Sequence, residues 1–469
     1  MRFRRSWRLL AAILAVGCAK YEPKPLTRGA VEQSLATPDA DALRVRASEI
    51  RHPLLKPVPI DLSQGLTPDS AAVLAVVINP QLRAVRGRRA LSSAQLLQAG
   101  LLPNPSLEFV LDPVTGGNTQ GTVTAYSVGV NWEVTSLITH DAKLAAARAS
   151  NRSVALDVAW QEWQFAQAAK KAVYDLAALR QQLVLARSMD EHLADNAKLI
   201  HDAVDAGQKT LIDLAAADSA SQKAHADFLL TDQEARQQEL LLKQAVGLPP
   251  EARIQLAPMP LPSQLELPSK DELLAGMEQR RLDLVALRHG YESQEQTLRA
   301  AVLAQFPKVV FGIHQASDNQ GVLSTGIGLS VDLPILDQNQ GQIAIEKATR
   351  QQLFDEYSSR IFEARSVAAQ ALDDIQSLST QIAAAEAAIP ALERLRQTYE
   401  IALDQHNVDV LSYYSAVDDL AQKQIDLLKL KQQLMDNRIA LELATGMYLS
   451  QSGAATTPSS RPATKEAPR

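Results

Sequence analysis

The chain has 469 residues, a formal net charge of −6 and a single cysteine. An acidic chain lacks the cationic surface that binds phosphate backbones, so we expect no nucleic-acid partner, and one cysteine cannot form an internal disulfide. No run of about 18 apolar residues occurs, so a membrane crossing by an ordinary helix is excluded and only β-strands or an attached lipid could provide one.

The N-terminus is typical of a bacterial lipoprotein signal peptide. A cluster of arginines at positions 2–8 precedes a short apolar run at 9–16, and Cys18 stands where such a signal is cut. We therefore expect residues 1–17 to be removed and Cys18 to be the site of lipid attachment. Ala19 follows instead of an aspartate, which favours the outer membrane. The alternative is an ordinary signal with an incidental cysteine.

The rest of the sequence divides into five parts by composition and repetition. Residues 18–66 are rich in proline and are predicted to be a mostly extended arm, and residues 449–469 are predicted to be a disordered tail. Two structural repeats lie between them, at 67–247 and 271–448, and a linker at 248–270 joins them.

The two repeats share residue types at an offset of 202 residues up to Phe109 and of 199 residues further on, which indicates an internal duplication with a three-residue change between the strands. In the first repeat these are Leu82, Ala84, Arg86, Leu96, Leu101, Pro105, Phe109, Ala203, Asp205 and Gly247, and in the second they are Leu284, Ala286, Arg288, Leu298, Leu303, Pro307, Phe311, Ala402, Asp404 and Gly446.

The residue pattern of each repeat predicts a helix, two strands, a very long helix and a return helix. The expected ranges are 67–99, 105–112, 122–135, 141–206 and 208–246 in the first repeat, and 271–304, 307–315, 323–335, 340–405 and 408–445 in the second. The stretch 141–206 contains neither glycine nor proline, so as one helix it would be about 100 Å long. Pro390 is expected to bend the second long helix.

The strands alternate apolar and polar residues, which predicts one apolar and one polar face. We interpret the apolar face as membrane-facing and the polar face as lining water; a half-buried sheet in a soluble domain is the alternative. Four strands cannot close a barrel in lipid, so a membrane location requires an oligomer. The expected membrane-facing residues are Tyr126, Val128, Val130, Trp132, Ile327, Leu329 and Val331.

Each long helix is followed by a tight turn at its far end. Gly207 is predicted to end the first long helix in the left-handed conformation, and Asn407 to do the same for the second. Asp205 and Asp404 occupy equivalent places, where an oligomer would form rings of carboxylates that bind cations. The alternative is that both are ordinary solvated acids.

No motif of catalysis or metal binding is found. The sequence has no nucleophile elbow, P-loop or clustered metal ligands, so we expect no enzyme activity, no cofactor and no metal site. Trp160, Trp163 and Phe165 are interpreted as packing residues.

The duplication and several short stretches in their order resemble the TolC-type outer-membrane efflux family. The stretches are 79–84, 101–105, 246–249, 333–335 and 339–341. The resemblance implies a mixed α and β membrane protein. It would be a homotrimer with a 12-stranded transmembrane β-barrel continued by a periplasmic α-barrel of long helical hairpins.

The resemblance also implies partners and a location. The barrel would lie in outer-membrane lipid, and its periplasmic tip would act as gate and contact for a periplasmic adaptor that couples to an inner-membrane pump. The lipoprotein signal and the 339–341 turn are most similar to the subgroup paired with pumps of the resistance-nodulation-division type. His406 stands where the first repeat has Gly207, and this departs from the glycine usual in such turns.

The sequence thus favours a passive efflux duct over three alternatives. A duct for protein secretion would have the same architecture and a different cargo. A lipid-anchored periplasmic coiled-coil scaffold would not explain the paired strands before each long helix. An enzyme is the least supported alternative.

Overall fold

The computed structural model describes residues 20–36, 39–60, 64–117, 119–405 and 407–449. Cys18, His406 and the tail beyond 449 lie outside these residues, as does the side chain of Asp404. The chain divides into two units, Met1–Pro38 and Asp39–Arg469.

The N-terminal arm is more helical than its composition predicts. In the first unit α1 spans Arg28–Leu35, and in the second α2 spans Ala40–Ser48. Local caps explain both helices, because the side chains of Thr27 and Asp39 accept hydrogen bonds from backbone N–H groups of the first turn. The prediction of a mostly extended arm is therefore wrong for these two segments.

The first predicted helix of each repeat is broken in the structure. In the first repeat α3 (Pro68–Ile78) and α4 (Pro80–Ala99) are separated by Asn79, whose backbone is extended at ψ 121°. Pro80 causes the break, since a proline disfavours helical backbone in the residue before it and has no N–H to donate. The single helix predicted at 67–99 is thus corrected to two.

The remaining elements of the first repeat follow the prediction closely. They are β1 (Ser106–Asp112), β2 (Ala125–Glu133), α5 (Ser136–Asp205) and α6 (Leu211–Val246). At 70 residues α5 is about 105 Å long and begins five residues before its predicted start.

The second repeat has the same order of long elements. They are α7 (Lys270–Leu274), α8 (Met277–Arg280), α9 (Leu282–Leu303), β3 (Lys308–Ser317), β4 (Leu323–Asp332), α10 (Gln340–Asp404) and α11 (Val410–Thr445). The single helix predicted at 271–304 is therefore wrong: Gly276 has φ 68° and Arg281 is extended, so two breaks occur. Helix α10 continues through Pro390.

The four strands form one antiparallel sheet in the order β1-β2-β3-β4, so strands of both repeats contribute to it. The central pair joins the repeats, with Trp132 opposite Phe311 and Val130 opposite Ile313. β1 and β4 are the two edges of this sheet.

The buried core lies along the helices. α6 packs along α5, α11 along α10, and α9 along α5. The linker is tied to the arm by a parallel bridge between Leu66 and Leu256, in which the Leu66 N–H donates to the Gln255 carbonyl at 2.7 Å. None of the described helices is both long and apolar enough to span a membrane.

Candidate functional site

Most of the large apolar residues of the sheet share one face, and most of them are exposed. The register aligns Leu107, Val130, Ile313 and Ile327 in one row across all four strands. Ile327 is 77% and Leu107 is 74% exposed. All seven residues predicted to face the membrane lie on this face. Their contact with lipid stays a prediction.

The opposite face of the sheet is polar and rich in glycine. The His314 ring lies against Gly326, where an added Cβ would be 2.8 Å from its Cε1 atom. The Asn131 amide covers Gly312 and donates to Glu108 Oε2 at 3.0 Å. The side chains of Asn131 and His314 lie against the sheet because the glycines beneath them leave room.

The junction of sheet and helices joins the two repeats. The Thr135 hydroxyl donates to the Pro307 carbonyl at 3.1 Å and accepts from the Val309 N–H at 2.5 Å. The Trp132 indole N–H donates to the Pro103 carbonyl at 2.9 Å. These bonds fix the sheet to the start of the long helix α5.

A second feature, which we call the joint, is the contact in each repeat between the C-terminus of the return helix and the break in the first predicted helix of that repeat. In the first repeat Gly247 is left-handed at φ 91°, and an added Cβ would lie 2.6 Å from the Asn79 Cα atom. The Asn79 amide donates to the Ala245 carbonyl at 2.9 Å and satisfies a free carbonyl at the C-terminus of α6. The break and the return helix therefore support each other.

The second repeat has an equivalent joint with different chemistry. Gly446 is left-handed at φ 64° and lies against the Arg281 backbone. Arg281 donates to the Ala444 carbonyl at 3.3 Å, pairs with Asp283 at 2.6 Å and lies 5.0 Å above the Trp160 ring. A charged cap thus replaces the neutral amide of the first joint, and it contacts α5 of the other repeat.

Buried charges connect the repeats beside these joints. Lys170 on α5 lies 3.0 Å from Glu442 on α11, which is fully buried, and Gln167 donates to the same carboxylate at 2.8 Å. The Lys170 ammonium also lies 4.6 Å from the centre of the Tyr448 ring. Burial, with the nearby charge of Asp69, raises the pKa of the Tyr448 hydroxyl.

The tip of the first hairpin has the predicted glycine turn. Gly207 has φ 72°, and the Gln208 N–H returns to the Ala203 carbonyl at 2.8 Å. Asp205 lies 3.5 Å from His201, and both side chains are exposed. Thr210 caps the start of α6, and its N–H and hydroxyl both donate to Asp213 and lower the pKa of that carboxyl.

The tip of the second hairpin corrects the expectation for Asn407. Its N–H bonds the Ala402 carbonyl at 2.8 Å, as the Gln208 N–H bonds the Ala203 carbonyl in the first hairpin. Asn407 thus takes the place of Gln208 rather than that of Gly207. Asp409 begins α11 by accepting from the Ser412 N–H at 2.7 Å.

The tip combines a packed interior with an apolar rim. Tyr413 and Tyr414 of α11 are buried against α5, where their hydroxyls bond His192 at 3.0 Å and Asn196 at 2.5 Å. Burial raises the pKa of Tyr414 to about 12. The start of each return helix is instead exposed, at Leu211, Ile212 and Leu411. These three leucine and isoleucine side chains form what we call the apolar rim of the tip.

The sequence missed the joints and the buried charges. Asn79-Pro80 and the paired glycines Gly247 and Gly446 were visible signals, but only the tertiary structure reveals that they meet. Lys170 and Glu442 carry no signal, because they lie on different repeats far apart in the chain. No group of three or more residues able to hold a metal ion occurs in the described part of the chain.

Comparison with known proteins agrees with this architecture. Residues 273–447 match the family model of the outer membrane efflux proteins. None of the curated protein sequences matches the chain. The residues that match the family model lie in the second repeat.

Solved structures resemble the chain over most of its length. CusC is 18% identical, with a TM-score of 0.70 over 86% of this chain and 99% of its own. A membrane protein from Pseudomonas aeruginosa is 17% identical, with a TM-score of 0.71 over 82% of this chain and 92% of its own. The outer membrane protein VceC of Vibrio cholerae is 16% identical, with a TM-score of 0.69 over 81% of this chain and 96% of its own.

These likenesses confirm two predictions from the sequence. The resemblance to TolC-type outer-membrane efflux proteins holds, and so does the mixed α and β fold class with long helical hairpins and four strands per chain.

Proposed function

We propose that the chain is one protomer of a trimeric outer-membrane duct that serves a tripartite efflux system. It conducts substrates passively, and an inner-membrane pump with its periplasmic adaptor supplies the driving force. The observation that carries this proposal is the sheet: it has an exposed apolar face and two open edges, and it stands at the base of a 70-residue helix.

The open edges favour an oligomer. The outer N–H and C=O groups of β1 and β4 have no neighbouring strand within the sheet, and in lipid each unpaired group costs several kcal/mol. Pairing β4 of one copy with β1 of the next removes both edges. Two copies would give eight strands, a number whose interior is filled by side chains, so three copies are the smallest set that leaves a channel.

The polar face supports a water-filled interior on the other side of the same sheet. Glycine at 312 and 326 lets the side chains of Asn131 and His314 lie against the sheet on that face. A duct needs such a wide polar lining, whereas a coiled-coil scaffold needs no sheet at all.

The helices and tips support a periplasmic extension and a docking end. Helix α5 reaches about 105 Å from the sheet. The exposed rim of Leu211, Ile212 and Leu411 offers apolar contact to an adaptor. Asp205 and Gly207 lie at the first turn, and Asp404 and His406, the equivalent positions of the second repeat in the sequence, join them in the proposed contact. A pump of the resistance-nodulation-division type and a lipid on Cys18 complete the proposal on the strength of the sequence resemblance.

The test is assembly and conductance of the purified full-length protein. We expect a trimer that migrates as a smaller species only after heating, and discrete single-channel currents in planar bilayers. A protein that is monomeric in detergent and silent in bilayers would overturn the proposal. Cys18→Ser is expected to abolish lipid labelling while channels still form, which separates the anchor from the duct.

A further inference from the structure

The segment 49–60 of the arm is held against α5 by one buried histidine. The side chain of His52 is 2% exposed. Its Nδ1 atom accepts hydrogen bonds from the N–H groups of Leu54 at 3.1 Å and Leu55 at 3.0 Å. Its Nε2 atom lies 2.8 Å from the Ala159 carbonyl of α5. Both ring nitrogens therefore bind backbone.

These contacts require one neutral form of the ring. An atom that accepts from two N–H groups must carry a lone pair, so the single ring hydrogen is on Nε2 and is donated to the Ala159 carbonyl. Protonation of Nδ1 would place a third N–H against the two amides. It would remove two hydrogen bonds and leave the Leu54 and Leu55 amides buried without an acceptor.

The charges around the ring do not offset this loss. Glu162 on α5 lies 4.0 Å from Nε2, but its carboxylate is already bonded by Arg86 at 2.6 Å and Arg89 at 3.2 Å, both on α4. Burial is the largest cause that lowers the pKa of His52, and the two guanidinium groups act in the same direction, against the Ala159 carbonyl and Glu162. The docked segment thus prefers the neutral ring.

The segment covers an apolar part of the wall. Leu55 is buried in one cluster with Trp160, Trp163 and Leu82, and Leu54 packs against that cluster. Release of 49–60 would remove Leu54 and Leu55 from the cluster that holds the buried Trp160 and Trp163 and admit water to it.

We propose that His52 is an acid-sensitive clasp: the neutral ring docks segment 49–60 on α5, and protonation of the ring releases it. The sign follows from linkage. Above the usual histidine value of 6.5 neither state binds the proton, and docking has its full strength. Below that value the released segment binds a proton that the docked segment excludes, so docking weakens as the pH falls.

The experiment measures hydrogen exchange of the 49–60 peptide in the full-length detergent-solubilised protein, corrected for intrinsic rates, between about pH 7.5 and about pH 5. One proton per release event limits the loss of protection to about tenfold per pH unit. Tryptophan fluorescence should move to longer wavelength over the same range. Constant protection throughout would overturn the proposal.

Three variants separate the clasp from general acid unfolding. His52→Asn keeps an oxygen that accepts from the Leu54 and Leu55 amides but does not titrate, so its protection should not depend on pH. His52→Leu removes the acceptor and should leave the segment unprotected at every pH. His225→Gln, at an exposed histidine of α6, should behave as the unaltered chain does. The clasp would be ruled out if His52→Asn lost as much exchange protection at acid pH as the unaltered chain does. It would also be ruled out if His52→Leu kept full exchange protection at neutral pH.

Discussion

Replacing Gly247 by alanine tests whether the joint of the first repeat is a fixed close contact. The glycine has φ 91°, a conformation that costs an L-residue roughly 1–2 kcal/mol. The new Cβ would also lie 2.6 Å from the Asn79 Cα and 3.0 Å from the Pro80 Cδ. Neither atom belongs to a flexible chain end, so relief requires the helix break to move.

The expected loss combines two terms. Overpacking of a tight site costs about 1–3 kcal/mol, and with the backbone strain the free energy of unfolding should fall by roughly 2–5 kcal/mol. Gly207→Ala is the matched control, because its φ is 72° and nothing lies within 4 Å of the added atom. It should cost only the strain of about 1–2 kcal/mol. Gly446→Ala, whose Cβ would be 3.0 Å from the Arg281 N atom, should fall between them.

The assay is unfolding by urea followed by circular dichroism of the helices at one protein concentration, since trimer stability depends on concentration. The midpoints should decrease in the order Gly207→Ala, Gly446→Ala, Gly247→Ala. Equal midpoints for Gly207→Ala and Gly247→Ala would refute the reasoning, because they would mean that the Asn79 contact contributes nothing beyond the backbone strain.

The remaining predictions concern the buried charges, the sheet and the tips. Lys170→Met should lower the unfolding midpoint by an amount equivalent to about 3 kcal/mol, since it removes one of the two cations of the fully buried Glu442 carboxylate and leaves only Arg438 at 3.4 Å, and simultaneous Glu442→Gln should recover much of the loss; no recovery would contradict the pairing. Ile327→Arg on the apolar face should cost about 2–4 kcal/mol and impair trimer assembly in vesicles, while Ser330→Arg on the polar face should assemble normally; equal behaviour would refute a lipid-facing apolar side. Joint replacement of Asp205 and Asp404 by alanine should weaken channel block by multivalent cations, and unchanged block would exclude carboxylate rings at the tip.

The strands and long helices could be read from the sequence because their signals are local. Alternation at Tyr126, Val128 and Val130 specified the apolar face, and the stretch without glycine or proline from 141 to 206 specified the rod. The turn at Gly207 followed from glycine alone. One helix was predicted at 67–99 where the structure has two. From the sequence, a proline at the first position of a following helix, as Pro80 is in α4, looks the same as a proline inside one continuous helix.

The tips illustrate the limit of a local reading. Asn407 is a residue type that tolerates positive φ, so the sequence suggested it for the second turn. The backbone bond to Ala402 shows instead that Asn407 is equivalent to Gln208 and follows the turn. Residue preference alone does not resolve a shift of one residue, whereas the repeat, which places His406 where the first copy has Gly207, already indicated the equivalence that the hydrogen bond shows.

The sequence by itself determined the duplication, the order of elements and the two-faced strands, since each depends on residues close together in the chain or on periodic repetition. The tertiary structure decided what those elements meet: Asn79 with Gly247, Arg281 with Gly446, Lys170 with Glu442, and His52 with Ala159. These contacts join distant positions through particular distances and angles, which no local propensity encodes. Asn79 with Gly247 and Arg281 with Gly446 meet because the return helix folds back on the start of its own repeat. Lys170 and Glu442 meet because helices of the two repeats pack along one another.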